Sequence, residues 1–370
     1  MKKAFGILLC VLLLASCVGA STTQQPTSTS RAILTITPKA DVEVIPNQDR
    51  PNFVFILTDD LDLELGTIEY MPHLKELLSS KGLTIEDYFV SNPVCCPSRS
   101  TYLRGQYNHN NQVYTNNPPS GGFERFYLLE HESSTLATWL QAAGYDTVFL
   151  GKYLNGYPFP DGRTYVPVGW TEWYGAAKGR PYPGYKYSLN ENGVLVDYDV
   201  EGQRDMQYMT DVLTRKTVDF IHRSADDPTP FFIYLAAYAP HEPRRPAPRH
   251  TELLPDLLAP RTASFNEIDV SDKSDNMSQN PPLSDDKIRR VDELYRDRVR
   301  SMQAVDEMIS QLVTALEETG QLESTYIIFT SDNGFHLGQH RLNSGKGTPY
   351  EEDIHVPFII RGPGITPNSM

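Results

Sequence analysis

Strand-length apolar runs alternate with helical patterns along the chain from Arg50 onward. The runs that we predict to be strands are Asn52–Thr58, Thr147–Leu150, Phe231–Tyr238, Tyr326–Thr330 and Val356–Ile360. The helical patterns between them lie at Met71–Ser80, at Thr135–Ala143 and in a long segment that ends before Gly320. This alternation is typical of an α/β fold whose large, mainly parallel central sheet is flanked by helices.

The long helical segment carries a regular apolar stripe. Its apolar residues recur at spacings of three or four: Val299, Met302, Val305, Ile309, Leu312, Val313 and Leu316. This is the period of a helix that turns one face toward the core, so we assign these side chains to packing. The aromatic residues Trp139, Trp170 and Trp173 are likewise expected in the core or at its rim.

The first twenty residues have the pattern of an export signal. Lys2 and Lys3 precede an apolar run from Ala4 to Leu14, which is shorter than the roughly 20 residues that span a bilayer. Small residues follow, and two cleavage positions remain open, one after Ala20 and one before Cys17. Residues 1–20 are therefore predicted to be a signal peptide.

The segment ending at Cys17 resembles the signal of a bacterial lipoprotein, in which that cysteine is lipidated. Residues 21–49 are rich in Ser, Thr and Pro, a composition that suits a linker between a membrane and a folded domain. We expect an exported protein that is either secreted or anchored at the cell envelope, with a lipid on Cys17 as its only attachment to a membrane. The catalytic domain is expected over residues 50–370.

The net charge narrows the range of partners. The chain carries 33 Lys and Arg against 47 Asp and Glu, a formal net charge of −14. Nucleic acid is a poor partner for such a surface. An anionic small substrate is still allowed, because screening over about 8–10 Å lets a local cluster of cations dominate its own pocket.

Acidic and amide side chains follow two of the predicted strands. Asp59 and Asp60 come directly after the first, and Asp332 and Asn333 after the fourth. Ligands of α/β proteins collect beyond the carboxyl ends of parallel strands, so both motifs can meet at one rim. Three carboxylates and an amide oxygen form a hard oxygen site that suits Ca²⁺ better than Zn²⁺.

Two of the four cysteines, Cys95 and Cys96, are neighbours in the sequence. An exported protein usually pairs its cysteines in disulfides. Adjacent Cα atoms lie about 3.8 Å apart, however, below the usual disulfide range of about 4.4–6.8 Å. The pair therefore needs an explanation other than a mutual disulfide.

That explanation comes from the motif around the pair. The run Cys95-Cys96-Pro97-Ser98-Arg99, followed by Leu103-Arg104-Gly105, resembles the signature of the sulfatases. The other motifs that match occur in the family's order: Gly151-Lys152-Tyr153, Ala239-Pro240-His241 and Ser331-Asp332-Asn333-Gly334. The resemblance covers about Arg50 to the end of the chain, and it implies a sandwich of the alkaline-phosphatase type.

Two further segments resemble one branch of that family. These are Leu258-Ala259-Pro260-Arg261 with Phe265-Asn266, and Tyr350-Glu351-Glu352-Asp353-Ile354. They are similar to segments of the N-acetylglucosamine-6-sulfatases and the extracellular heparan 6-O-sulfatases. The resemblance thus implies a sulfuric ester hydrolase that acts on the 6-O-sulfate of N-acetylglucosamine in sulfated glycans, as in glycosaminoglycan degradation.

The resemblance also implies a role for each motif. A maturation enzyme would oxidise Cys95 to formylglycine, whose hydrate attacks sulfur through one hydroxyl and releases sulfate through the other. Ca²⁺ would be bound by the modified Cys95 together with four other residues: Asp59, Asp60, Asp332 and Asn333.

Positively charged side chains complete the implied site. Arg99 and Lys152 would stabilise the sulfate oxygens, and His241 or Lys346 would protonate the departing sugar oxygen. His336 and His340 are expected to support the site rather than to bind an all-oxygen metal centre.

The chain departs from the family pattern at two places. Leu154, which is followed by Asn155, stands where many sulfatases carry a histidine two residues after the lysine, so the base for sulfate elimination is unassigned. The chain also ends at Met370, where relatives continue, and we expect the catalytic domain to lack its C-terminal subdomain. Two alternatives stay open: a formylglycine-dependent phosphonate or phosphate ester hydrolase, and a truncated, non-catalytic chain that binds sulfated glycans.

Overall fold

The computed structural model describes residues 50–158, 162–199 and 204–370, which belong to one compact unit. These residues form the following strands: β1 (Asn52–Thr58), β2 (Leu83–Ile85), β3 (Asp146–Gly151), β4 (Glu172–Gly179), β5 (Tyr187–Glu191), β6 (Val194–Tyr198), β7 (Phe231–Ala236), β8 (Thr325–Ser331) and β9 (Phe358–Arg361). They make one sheet in the order β2-β9-β8-β1-β7-β3-β4-β5-β6.

Five neighbouring strands in the middle of the sheet, from β8 through β1, β7 and β3 to β4, run parallel. The strands on both sides of this group pair antiparallel: β9 with β8, β2 with β9, β5 with β4 and β6 with β5. The predicted α/β fold is confirmed, with its parallel strands at the centre. The antiparallel edges were not predicted, nor were the strands β2, β4, β5 and β6.

The α-helices are α1 (Cys95–Arg104), α2 (Asn108–Asn111), α3 (Gly122–Leu128), α4 (Leu136–Ala142), α5 (Met209–Arg223), α6 (Asp275–Ser278), α7 (Asp285–Glu318) and α8 (Glu351–Ile354). Alternate side chains of the central strands point to opposite faces of the sheet. One face packs against α5 and α7, with Val54 and Ile233 in the interface, and the other packs against α1, α3 and α4, with Phe55 and Tyr234 there. The sheet is thus covered on both sides.

The apolar stripe of the long helix is buried as predicted. Every member of the stripe is at most 2% exposed, and α7 ends at Glu318, just before Gly320. The predicted helix Thr135–Ala143 is α4, whose N-cap Thr135 accepts a hydrogen bond from the amide of Thr138. Among the tryptophans, Trp173 is fully buried against Phe149, with ring centroids 4.4 Å apart, and belongs to the core.

The helix predicted at Met71–Ser80 is shorter and irregular. It consists of a five-residue π-helical turn, Leu74–Leu78, and a 3₁₀ turn, Ser79–Lys81. The carboxylate of Asp306 on α7 accepts hydrogen bonds from the amides of His73 and Leu74 at 3.0 and 2.8 Å. This contact fixes the start of the turn from outside the segment, which the local pattern could not indicate.

The predicted signal peptide, the linker and Cys17 lie outside the described residues. Within the described part of the chain, no helix has the length and apolar character that crossing a membrane requires.

Candidate active site

The carboxyl ends of the central strands bring the predicted site residues to one edge of the sheet. Asp59 follows β1, Asp332 follows β8 and Lys152 follows β3. Each of these residues donates one further backbone hydrogen bond beyond the end of its strand. The amide of Asp59 donates to the carbonyl of Ala239, that of Lys152 to Ala236 and that of Asp332 to Thr58, at 3.0–3.1 Å. Parallel pairing alone therefore places these three side chains together.

Cys95 is the first residue of α1, and its thiol is fully buried. Its Sγ lies 3.4 Å from Oδ1 of Asp59. Burial, reinforced by the nearby Asp59 charge, raises the pKa of the thiol to about 12. The first turn of a helix carries free amide groups and partial positive charge, so this position favours an anion beside Cys95.

The side chains that could hold a cation gather around Cys95. Asp59, Asp60, Cys95 and His241 each offer a ligand atom, and these atoms all lie within 4.8 Å of one another. Asp60 has a left-handed backbone, with φ of 72°, and its amide lies 3.2 Å from Oδ1 of Asp332. The backbone at Asp60 thus links the two acidic motifs that the sequence predicted to meet.

Asn333 joins this group through Asp60. Its Nδ2 donates to Oδ1 of Asp60 at 2.7 Å, whereas its Oδ1 is buried and has no hydrogen-bond partner among the described residues. A buried carbonyl oxygen without a partner is costly unless a ligand satisfies it. The donor set of carboxylates with this free amide oxygen fits a hard cation such as Ca²⁺.

Three cations face the three buried carboxylates. Arg99 donates from Nε to Asp332 at 2.7 Å and from Nη1 to the carbonyl of Lys152 at 2.7 Å. Its Nη2 is buried and has no partner among the described residues. Lys152 contacts Asp59, and Lys346 contacts both Asp60 and, at 2.7 Å, Sγ of Cys95.

Burial and the neighbouring charges shift the pKa of each of the three carboxyl groups. Burial opposes the ionisation of Asp59, but the charge of Lys152 and its neighbours outweighs burial and holds the pKa of this carboxyl well below its usual range. The pKa of Asp60 is lowered in the same way, with Lys346 as the main opposing charge. For Asp332 burial dominates, helped by the charge of Asp59, and its pKa is raised.

The structure therefore brings every predicted site residue to one place. His241 is the outermost of them: its Nε2 lies 3.8 Å from Oδ2 of Asp60, and its side chain is 24% exposed. The geometry leaves the individual roles of these residues as predictions.

Comparison with known proteins agrees with this geometry. The family model described as "Sulfatase" matches residues 51–370. The chain belongs to the sulfatase family. It is 38% identical over 323 residues to the N-acetylglucosamine-6-sulfatase of Homo sapiens, and this match covers 86% of this chain and 57% of that protein. It is 36% identical over 318 residues to the extracellular sulfatase SULF-1 homolog of Drosophila melanogaster, and this match covers 85% of this chain and 28% of that protein.

The sulfatase fold is also recognised in solved structures. One of them, a protein in complex with its substrate D-glucosamine-2-N,6-O-disulfate, superposes with a TM-score of 0.65 at 22% identity and covers 86% of this chain and 72% of that one. The predicted resemblance to the N-acetylglucosamine-6-sulfatases and extracellular sulfatases is thus confirmed. This member of the family spans between a quarter and three fifths of the length of these two curated relatives.

In this sulfatase family member, the loop that carries Lys346 is held on both sides. Before Lys346, Gly345 exchanges two backbone hydrogen bonds with His336, at 2.9 and 3.1 Å. After it, Thr348 donates from its amide and from its hydroxyl to the carboxylate of Asp353, at 2.8 and 2.6 Å. The backbone on both sides of Lys346 is therefore held by hydrogen bonds.

The imidazole of His336 joins the two sides of the loop that carries Lys346. His336 bonds the fully buried Asp353 through Nδ1 at 2.9 Å and the carbonyl of Asn343 through Nε2 at 2.9 Å. His340 lies elsewhere, against Glu267 and the ring of Tyr350. No role was predicted for Thr348 or Asp353; Asp353 was noted only as a member of the segment Tyr350-Glu351-Glu352-Asp353-Ile354, which resembles one branch of the family.

Proposed function

We propose that this chain hydrolyses sulfate esters, using a formylglycine formed from Cys95 and a bound Ca²⁺. One observation carries the proposal: Cys95 opens helix α1 and is surrounded by buried carboxylates that suit a hard cation and by cations that suit a sulfate. Burying an ionised side chain costs several kcal/mol unless it is compensated, and here the two sets compensate each other in three ion pairs.

The sulfate would be held by fixed positive charge. Arg99 keeps one buried Nη2 group free of any partner among the described residues, and this donor is available to a sulfate oxygen. Lys152 lies next to Asp59, which contacts Cys95. Donors that are already oriented need no reorganisation as negative charge develops, which is the main source of electrostatic catalysis.

The cation site would be formed by Asp59, Asp60, Asp332 and Asn333, with the modified Cys95 beside them. Bound Ca²⁺ would polarise a sulfate oxygen and favour the ionised form of the nucleophile. The free Oδ1 of Asn333 supports this ligand set. His241, which lies within the same cluster, would face the substrate rather than the cation, because Ca²⁺ prefers oxygen.

Conversion of Cys95 supplies a carbon with two hydroxyl groups, one for attack on sulfur and one for release of sulfate. The sugar oxygen that departs needs a proton. Lys346 is within 2.7 Å of Cys95 Sγ, and His241 borders the same cluster, so either can deliver that proton. General acid catalysis of this kind contributes about 10²–10⁴ in rate.

We further propose the 6-O-sulfate of N-acetylglucosamine in sulfated glycans as the substrate, and an exported location. The similarity to an N-acetylglucosamine-6-sulfatase and to an extracellular sulfatase supports both proposals. The maturation enzyme that converts Cys95 would be a further partner.

Two neighbouring cysteines allow a matched test. Cys95 and Cys96 are both fully buried free thiols on α1. In protein produced together with a formylglycine-generating enzyme, the peptide containing Cys95 should be lighter by about 18 Da. Cys95→Ala should abolish sulfate release from 6-sulfo-N-acetylglucosamine, while Cys96→Ala should retain most of it. Full activity with Cys95 unmodified would refute the proposed nucleophile.

A further inference from the structure

A cleft of about 550 Å³ lies next to Lys152. One wall is the segment after β3, from Lys152 to Tyr157, and the other is the end of β4 with the loop that follows it, from Ala176 to Pro183. Lys152 belongs to the cleft and also contacts Asp59. Lys152 therefore borders both the cleft and the proposed sulfate site, and the volume is typical of a ligand site.

The charge of the cleft is opposite to that of the chain. Lys152, Lys178 and Arg180 line it, and the described residues that line it include no carboxylate. The chain as a whole has 47 acidic against 33 basic residues. Lys178 and Arg180 are exposed, and neither forms an ion pair with a described residue. Such uncompensated cations in a concave surface attract an anionic group.

The pairing of β4 with β5 determines the conformation of the segment that carries Lys178 and Arg180. The pairing of β4 with β5 has a bulge between Ala176 and Lys178, a feature that re-aims side chains next to binding sites. Gly179 has φ of +86°, and a Cβ there would lie 2.4 Å from the carbonyl of Lys186. The amide of Arg180 donates to that same carbonyl at 2.9 Å, which closes the loop.

An aromatic side chain connects the loop to the reaction site. The ring of Tyr182 lies 5.2 Å from Nζ of Lys152 and 4.4 Å from the ring of His241, and it packs edge-on against Tyr238. Tyr182 also lines the cleft. A saccharide bound against this ring would extend from the nucleophile toward Lys178 and Arg180.

From this arrangement we infer that the cleft binds a second anionic group of the substrate, carried by the saccharide next to the one that loses its sulfate. The inference rests on the proposed sulfatase function and makes it more specific, because it assigns the recognition of a neighbouring anionic saccharide to three residues of this cleft. Lys178 and Arg180 bind the carboxylate or sulfate of the neighbouring residue, and Tyr182 contacts its ring.

Paired disaccharides test this subsite. The first joins 6-sulfo-N-acetylglucosamine to glucuronate, the second has the uronate carboxylate reduced to an alcohol, and the third is the reduced form with a second sulfate. The wild-type protein should prefer the two dianionic compounds by about tenfold in kcat/KM, mainly through KM, because the second anion is bound equally in ground and transition states. The preference should shrink as salt is added.

Arg180→Gln and Lys178→Gln should each reduce that preference by about three- to fivefold, as expected for a charge pair at an exposed site. Lys186→Gln is the matched control, because Lys186 is an exposed cation of the same loop that pairs with Asp199 at 3.8 Å and does not line the cleft. It should leave the preference unchanged. A preference that survives in both cleft variants, or one that Lys186→Gln removes equally, would overturn the inference.

A binding measurement tests this inference independently of the proposed function. Calorimetry on the Cys95→Ala protein measures the affinity for the same disaccharides without turnover. If wild-type protein with converted Cys95 releases no sulfate, the proposed function fails, yet weaker binding of the dianionic compounds by Arg180→Gln still supports the subsite. If sulfate is released but affinity does not depend on the second anion, the subsite is refuted and the proposed function stands.

Discussion

Replacement of Asp353 by alanine would release the loop that carries Lys346. The carboxylate of Asp353 accepts two hydrogen bonds from Thr348, at 2.8 and 2.6 Å, and bonds His336 at 2.9 Å. Hydrogen bonds to a charged group contribute about 1.5–3 kcal/mol each. Loss of the two bonds to Thr348 therefore weakens the fixed position of the loop by roughly 3 kcal/mol or more.

A weakening of that size lowers the equilibrium ratio of placed to displaced Lys346 by about 10²-fold, since about 1.4 kcal/mol corresponds to a factor of ten. We expect kcat for Asp353→Ala on 6-sulfo-N-acetylglucosamine to fall measurably, by up to about 10²-fold. Nitrophenyl sulfate should be affected much less, because its leaving group hardly needs a proton. Both rates are measured on protein whose thermal unfolding shows that it is folded.

Asp353→Asn is the matched control. Its amide oxygen can accept both bonds from Thr348, and its NH₂ group can donate to Nδ1 of a neutral His336 whose Nε2 donates to the carbonyl of Asn343. This variant should stay within about tenfold of the wild type. Folded Asp353→Ala protein with unchanged kcat on the sugar sulfate would refute the positioning of Lys346, and equal losses on both substrates would assign Asp353 to the fold.

Three further predictions concern the acid, the cation and stability. Lys346→Ala or His241→Ala should slow desulfation of 6-sulfo-N-acetylglucosamine by about 10²–10⁴ while costing much less on nitrophenyl sulfate, and equal losses in initial rate would exclude the residue as the acid. Chelation should abolish sulfate release, Ca²⁺ should restore it better than Zn²⁺, and Asp60→Ala should behave like the chelated protein; activity that survives exhaustive chelation would rule out the metal. Burial, opposed by the hydrogen bond from Tyr165, raises the pKa of Glu132 to about 7. Its ionisation therefore destabilises the fold as pH rises from about 4.5 to 7, and Glu132→Gln should stabilise by up to about 3 kcal/mol at pH 8 and by little at pH 4; a gain in urea unfolding that is independent of pH would contradict this.

The elements that could be predicted from the sequence are those with a strong local pattern. β1 is a continuous apolar run and was predicted with its bounds, and α7 follows from its stripe. β4 was missed because its sequence, EWYGAAKG, has neither a continuous apolar run nor a clean alternation. Its place in the sheet comes from its pairing with β3, which a local pattern does not contain.

The same division holds in the site. Asp59 and Asp332 could be placed together because parallel strands end at one edge, and Cys95 because its motif is specific. Asp353 acts through a loop that is folded back on His336 and Thr348, and no periodicity encodes such a contact. The cationic cleft was also missed, since it depends on a bulge in β4.

The burial of Cys95 sets an order of events during synthesis. Its thiol is fully covered, and one of the groups that contacts it is Lys346, which is 251 residues further along the chain. In the proposed mechanism a converting enzyme has to reach this cysteine while the chain is still open. The available time therefore begins when Cys95 leaves the ribosome and ends when the segment around Lys346 folds over it, so a slower completion of the fold would favour full conversion.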